Sequence, residues 1–446
     1  MDKNFSSDSW TRLRRINNGL WVFLCSTLLF ATFLTFMPDS VREKPCSDCS
    51  GWYFPVAENL ASGRGLVVGD QNRPALDRPP GQVLLLSGLF RILPDTLLDR
   101  DVVVYAYNAF LLGISCVLLF SISRLYWGLR GGVITAVAWV TSPFVLWFLT
   151  QPYSEVPFFV AMFFASWIIL KSESARPLRQ ELVLVGIALG VATLIRPIGF
   201  ALIVPFLMFF WIKNRQLTWR IRSAGSMFLL LGYLATLMPW QVYLYDQKSE
   251  IVFLSYGVHG SRSVLEGFIF GIRSEEYKEE IELHPSVKDF MEDMHILFNG
   301  PKNDFNTLGI DAPIGRSSPP STRELLKIAH ERFIEDPVLA WRFFSLKILR
   351  SWYGTDSHRN EDAARLLMAV YVLLAGLGLW GTIRNKCTRG LGIFVILITL
   401  YFWAFAIVFT PLVRYMIPAL GMLFIILPGI RTIVGKRDIG NTSRSY

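Results

Sequence analysis

Apolar runs of about 15–22 residues recur along this chain, near the ~20 that a helix needs to cross a bilayer. They are 19–37, 102–123, 132–149, 156–170, 182–195, 198–212, 224–245, 366–380, 391–409 and 415–430. A water-soluble chain of this length would split into two or three domains with charged surfaces. Here 52% of the residues are hydrophobic and only 18% are charged. The expected fold class is therefore an all-α polytopic membrane protein with about ten transmembrane helices.

The charges between the runs set an orientation, because cytoplasmic loops carry the excess of Lys and Arg. With the N-terminus in the cytoplasm, every second connection is basic: Arg124 and Arg130, then Lys171, Arg176 and Arg179, then "KNRQLTWRIR", then "RNKCTR", then the tail "GKRDIG". The net charge of +9 thus belongs to membrane topology and not to nucleic acid. The opposite face receives the loop around Asp48, "QPYSE", "RP", a long polar stretch and "TPLVR". Counting "RPPGQVLLLSGLFRIL" as another span would put the basic clusters outside. It is read instead as a juxtamembrane helix started by Pro79 and Pro80.

The expected division is a cytoplasmic segment 1–18, a transmembrane core 19–245 whose first outer loop is 38–101, a large extracytoplasmic loop 246–362, closing helices 363–433 and a cytoplasmic tail 434–446. Both termini are expected in the cytoplasm. The basic cluster Arg12, Arg14 and Arg15 followed by the first run, without a small-x-small cleavage site, reads as a retained signal anchor in the cell membrane.

The first outer loop holds "CSDCSGWYFPVAENL". Tyr53, Val56, Ala57 and Leu60 share one face at helical spacing, which predicts a short amphipathic helix from Trp52 to about Ser62. Cys46 and Cys49 fit a local disulfide or two free thiols equally. Cys25, Cys116 and Cys387 are scattered and read as inert. In the large loop, "SEEYKEEIEL" and "STRELLKIAHERF" predict helices, and "GPKNDFNTLGIDAPIGRSSPP" is rich in turn residues.

Unusual polar residues gather at the outer ends of the spans: Asp48, Asp77, Glu155, Arg196 and Arg414. Ionisable groups there are functional candidates, because burying a lone charge is costly. Arg196 in "TLIRPIG" and Arg414 in "TPLVRYMIP" could each clasp a phosphate with paired hydrogen bonds, or simply snorkel to head groups. Glu155 in "QPYSEVPF" could serve as no more than a helix N-terminal carboxylate favoured by the dipole.

The chain resembles the GT-C superfamily of integral-membrane glycosyltransferases, in the branch of protein O-mannosyltransferases and lipid A aminoarabinose transferases. The resemblance rests on the order of loose motifs: "SDCSGWYFPVAENLASGRGL", "RPPGQVLLLSGLFRILP", "QPYSEVPF", "GVATLIRPIG", "HERFIEDPVLAWRFFSLKILRSWYG" and "RYMIPALGMLF". It departs at Glu155, where many relatives carry Asp, and at the cysteines around Asp48.

The resemblance implies an inverting transferase that moves a sugar from a polyprenyl-phosphate donor to a hydroxyl of a glycan, lipid or protein on the outer face of the membrane. Asp48 would act as the base, with Glu155 as a second catalytic carboxylate. Arg196 and Arg414 would hold the donor phosphate, and Asp77, Arg78 and His259 would be candidates for contact with the acceptor or the loop. No cofactor is required; a divalent metal at Glu155, with His259, is an option. The rival class is a transporter or flippase of lipid-linked saccharides, which would show internal repeats and charges in mid-span. No repeat is visible.

Overall fold

The structure, a computed structural model, describes residues 5–38, 49–69, 73–94, 97, 99–150, 153–172, 179–255, 259–270, 283–299, 322–355 and 360–434. The described chain is almost entirely helical, apart from one two-residue antiparallel ladder in the first loop that pairs Val67 with Pro74.

Helix α1 is Phe5–Phe36. A π-helical turn, Cys49–Tyr53, leads into α2, Phe54–Ala61. Of the expected face, Tyr53, Val56 and Ala57 are buried and Leu60 is half-buried. Cys49 is disulfide-bonded, which decides for that residue the alternative left open by the sequence. Cys25, Cys116 and Cys387 are free. Helix α3, Gly81–Ile92, is 12 residues long, too short to cross a bilayer at 1.5 Å per residue.

Helix α4, Arg100–Val140, runs for 41 residues with Gly128 at φ 68°, ψ −169°. Only glycine tolerates that conformation at no cost, and here it reverses the chain. Thr135 donates to Ser123 (2.9 Å) and Trp139 Nε1 to Ser115 (2.9 Å), so the two limbs lie antiparallel. The expected spans 102–123 and 132–149 are these limbs, the second extended by α5, Pro143–Phe148.

The next helices are α6, Glu155–Lys171; α7, Arg179–Ile195; a 3₁₀ turn Pro197–Leu202 running into α8, Ile203–Lys213; and α9, Trp219–Lys248. In α7 and α9, Gly186, Gly190 and Gly232 let the two backbones touch. A Cβ on Gly186 would sit 2.1 Å from the Leu229 carbonyl, and one on Gly232 2.3 Å from that of Val183.

Four shorter helices follow: α10, His259–Phe268; α11, Pro285–Asn299; α12, Thr322–Glu335; and α13, Pro337–Arg350. They enclose a second core rich in phenylalanine, including Phe268, Phe290 and Phe343. The expected helix "STRELLKIAHERF" is α12. The segments "SEEYKEEIE" and "GPKNDFNTLGIDAPIGRSSPP" lie outside the described residues. The closing helices are α14, Glu361–Arg384; α15, Arg389–Val408; α16, Val413–Ile425; and α17, Arg431–Val434.

Each expected span has its helix. Five described helices are by themselves long and apolar enough to cross a membrane, or six when the bent pair 413–425 and 427–433 is taken as one span. The difference from about ten has two sources. The two limbs of α4, which reverse at Gly128, count together as one of the five. In addition, α6, α7 and the stretch Pro197–Lys213 are 17 residues each, a little under the ~20 that a straight span needs. The protein is a multi-pass membrane protein.

Candidate active site

The contacts fix which helix ends lie together. Helix α6 begins at Glu155, α7 ends at Ile195 just before Arg196, and α16 begins at Val413 just before Arg414. Alternating directions through the bundle bring all three to one end. At the other end, Lys213 Nζ donates to the carbonyls of Ile169 (2.8 Å) and Ser172 (2.5 Å). Helix α3 lies wholly at the Glu155 end. Its Gly81 abuts the backbone of Leu194 and Ile195, and Arg100, at the start of α4, lies over Phe90 near its other terminus.

At that end, Glu155 is only 3% exposed. Its Oε1 pairs with a guanidinium nitrogen of Arg196 and stands 3.4 Å from Nε of Arg414. The two arginine side chains are 11% and 20% exposed. Both guanidiniums lie over the ring of Tyr415, with centroid distances of 5.7 Å and 5.3 Å. The sequence alone gave no reason to single out Tyr415 beyond its place in "RYMIP".

Among the described residues, one carboxylate stands between two guanidiniums in a mostly buried place. The N-termini of α6 and α16 open at the same spot and add their positive dipole ends. Two guanidiniums and two helix N-termini brought to one place suit an anion.

The first loop reaches this cluster directly. Tyr53 Oη donates to Ser154 Oγ (3.2 Å), the residue next to Glu155. Arg78 stacks over the rings of Tyr53 (5.3 Å) and Trp52 (5.9 Å). The sequence assigns Tyr53 only to the apolar face of the short helix, and Ser154 no role. A buried tyrosine hydroxyl needs a hydrogen-bond partner, but that partner could not be identified from the chain order.

The other carboxylates of the loop have partners of their own. Asp77 pairs with Arg73 (3.0 Å) at an exposed position, and Glu58 pairs with Arg100. Asp48 and Cys46 lie outside the described residues, as does the side chain of His259 at the start of α10. Among the described residues, no group of three or more His, Cys, Asp or Glu could hold a metal ion.

Residues 77–243 match the sequence model of the family described as dolichyl-phosphate-mannose-protein mannosyltransferase. The matched stretch contains Asp77, Glu155 and Arg196. Among solved structures, the chain is similar to the oligosaccharyltransferase of Archaeoglobus fulgidus in its apo form, with 13% identity, a TM-score of 0.51 and 92% of this chain covered. The chain spans 50% of the length of that protein. ArnT from Cupriavidus metallidurans, solved with undecaprenyl phosphate bound, matches at 13% identity and a TM-score of 0.41, over 95% of this chain and 78% of that one. No curated protein matches the sequence. The likeness in fold covers most of the chain, and the likeness in sequence covers 77–243.

Proposed function

We propose that this chain is an inverting glycosyltransferase that takes a sugar from a polyprenyl-phosphate carrier and passes it to a hydroxyl of a glycan, lipid or protein. The observation that carries the proposal is the buried cluster of Glu155, Arg196 and Arg414 at one end of the bundle, where two guanidiniums converge. A lipid phosphate at the membrane edge is the anion that suits it. Bidentate guanidinium contacts match phosphate geometry.

The chemistry then needs little else. The acceptor oxygen attacks the anomeric carbon from the face opposite the phosphate. The carbon–oxygen bond to phosphate breaks, and polyprenyl phosphate leaves with the electron pair. Because phosphate leaves unprotonated, no general acid is required; a glycosidase differs in this respect and needs two carboxylates. One base accepts the acceptor proton, and that role goes to Asp48.

Asp48 is the residue before Cys49 in the chain. Cys49 opens the π-helical turn whose last residue, Tyr53, bonds Ser154. Arg196 and Arg414 stabilise the charge that builds on the leaving phosphate. Glu155 serves by holding both guanidiniums in place. A metal at Glu155 would have to compete with two arginines for the same carboxylate, and the proposal uses none. A flippase would need polar groups along its path across the membrane, whereas this cluster lies at one end.

Arg414→Ala is expected to lower donor use by about 10- to 100-fold, since hydrogen bonds to charged groups contribute roughly 1.5–3 kcal/mol. Arg414→Lys should restore only part, because a point charge replaces a planar fork. The check is transfer from a synthetic polyprenyl-phosphate sugar by purified variants. Normal turnover by Arg414→Ala would leave Arg414 as an anchor to head groups.

The site is proposed to face the cell exterior or periplasm across the cell (inner) membrane, with both termini in the cytoplasm. The basic connections support this, as does the disulfide at Cys49, which belongs to an oxidising compartment. Leu326 on α12 is 47% exposed. A cysteine placed there, in a background lacking Cys25 and Cys387, should react with an impermeant maleimide on intact cells. Labelling that needs permeabilised cells inverts the orientation.

A further inference from the structure

The turn between α15 and α16 delivers Arg414 to the site, and helix α13 grips that turn at both ends. At its start, Lys347 Nζ donates to the carbonyls of Val408 (3.3 Å) and Phe409 (2.7 Å), the unpaired C-terminal carbonyls of α15. Lys347 is fully buried. Trp403 Nε1 donates to the Ile348 carbonyl (3.2 Å), which ties α15 to α13 a turn further down.

At the other end of the turn, the chain leaving α13 folds tightly, with the amides of Tyr353 (3.0 Å) and Gly354 (2.7 Å) both donating to the Arg350 carbonyl. The Gly354 carbonyl then accepts the amide of Val413 (2.8 Å), the first residue of α16 and the neighbour of Arg414. The approach is close: a Cβ on Gly354 would stand 2.6 Å from the Pro411 carbonyl.

A buried ion pair holds this second contact. Arg350 is 0% exposed and Glu361 4%. Two parallel hydrogen bonds of 2.7 Å join them, and Glu361 Oε1 also accepts the amide of Thr355 (3.0 Å). The pair closes the segment between α13 and α14 and so fixes where Gly354 presents its carbonyl. An ion pair this deep contributes little net stability and is strongly disruptive when broken. Its geometry therefore has more consequence than its energy.

We propose that Arg350, Glu361 and Gly354 are positioning residues for Arg414, setting its place against Glu155 through the single hydrogen bond from Val413 to Gly354. The inference rests on the reading of Arg414 as a phosphate ligand. It makes the closing helix of the large loop a positioning element of the donor site.

Val413→Pro tests this with little harm to folding. Proline suits the first position of a helix. Leu412, at φ −119° and ψ 141°, already has the extended backbone required before proline. The change removes the amide and places ring carbon against the Gly354 carbonyl. Gly354→Ala strains the same contact from the other side. Gly376→Ala, in open space on α14, is the control.

The probe is undecaprenyl phosphate, titrated into the detergent-solubilised full chain, with monodispersity checked for each variant. Val413→Pro and Gly354→Ala should each weaken binding by about tenfold or more, the scale of a misplaced contact. Either one combined with Arg414→Ala should add little to Arg414→Ala alone, because they act through the same group. The control should bind as the parent does. If both variants bind normally while Arg414→Ala does not, the positioning role is wrong and the phosphate reading survives. If Arg414→Ala itself binds normally, the phosphate reading fails and the positioning role falls with it.

Discussion

Asp48→Asn should cut sugar transfer by about a hundredfold or more, the scale of a lost general base, while leaving expression and donor binding nearly intact. Asparagine keeps the size and shape of the side chain and removes only its basicity. The contrast with its neighbours gives the test its force. Asp77 is paired with Arg73, and Glu58 with Arg100, so each already has a cation to hold its carboxylate. Their amide variants should lose much less. Initial rates on a polyprenyl-phosphate sugar, measured with donor binding on the same preparations, separate chemistry from affinity. Near-normal transfer by Asp48→Asn together with abolished transfer by Asp77→Asn would falsify the assignment. It would move the base to the carboxylate beside "RPPG".

Glu155→Gln should lower stability by roughly 3–5 kcal/mol, the cost of breaking a buried ion pair from one side. It takes from two mostly buried guanidiniums the carboxylate that they share. An added anion should then do more for the variant than for the parent. Excess undecaprenyl phosphate should raise the melting temperature of Glu155→Gln by more than it raises that of the unaltered protein, because a ligand that binds only the folded state stabilises it and here also replaces the missing charge. Glu155→Asp, which keeps the charge one methylene further back, should fall between the two. A Glu155→Gln protein that melts with the parent and gains nothing from the phosphate lipid would show that the cluster is solvated and is not an anion site.

Much of the architecture was legible because its causes are local. Bilayer thickness sets the length of an apolar run, so the spans could be read off the chain. The Lys and Arg alternation assigned alternate ends to opposite faces, and it placed Glu155, Arg196 and Arg414 at one face before any contact was known. It also excluded the "RPPG" helix as a span, and the structure keeps that helix wholly at the site end. The amphipathic face of Tyr53, Val56 and Ala57 followed from period alone and is buried as expected.

What the sequence could not supply was lateral order: which helix stands beside which. Face is decided by counting spans, but neighbours are decided by packing, as where Gly186 and Gly232 let α7 and α9 come into backbone contact. Only that packing turned three separate charges into one cluster and gave Glu155 two arginine partners. The same holds for α13. In the sequence, Lys347, Arg350 and Glu361 resemble any charges on an amphipathic helix or at a span end, where solvent is the ordinary partner. Tertiary structure buries all three, and a buried charge must find an opposite charge or a carbonyl. That requirement ties the large loop to the turn before Arg414, across a separation in sequence that local propensity and periodicity do not reach.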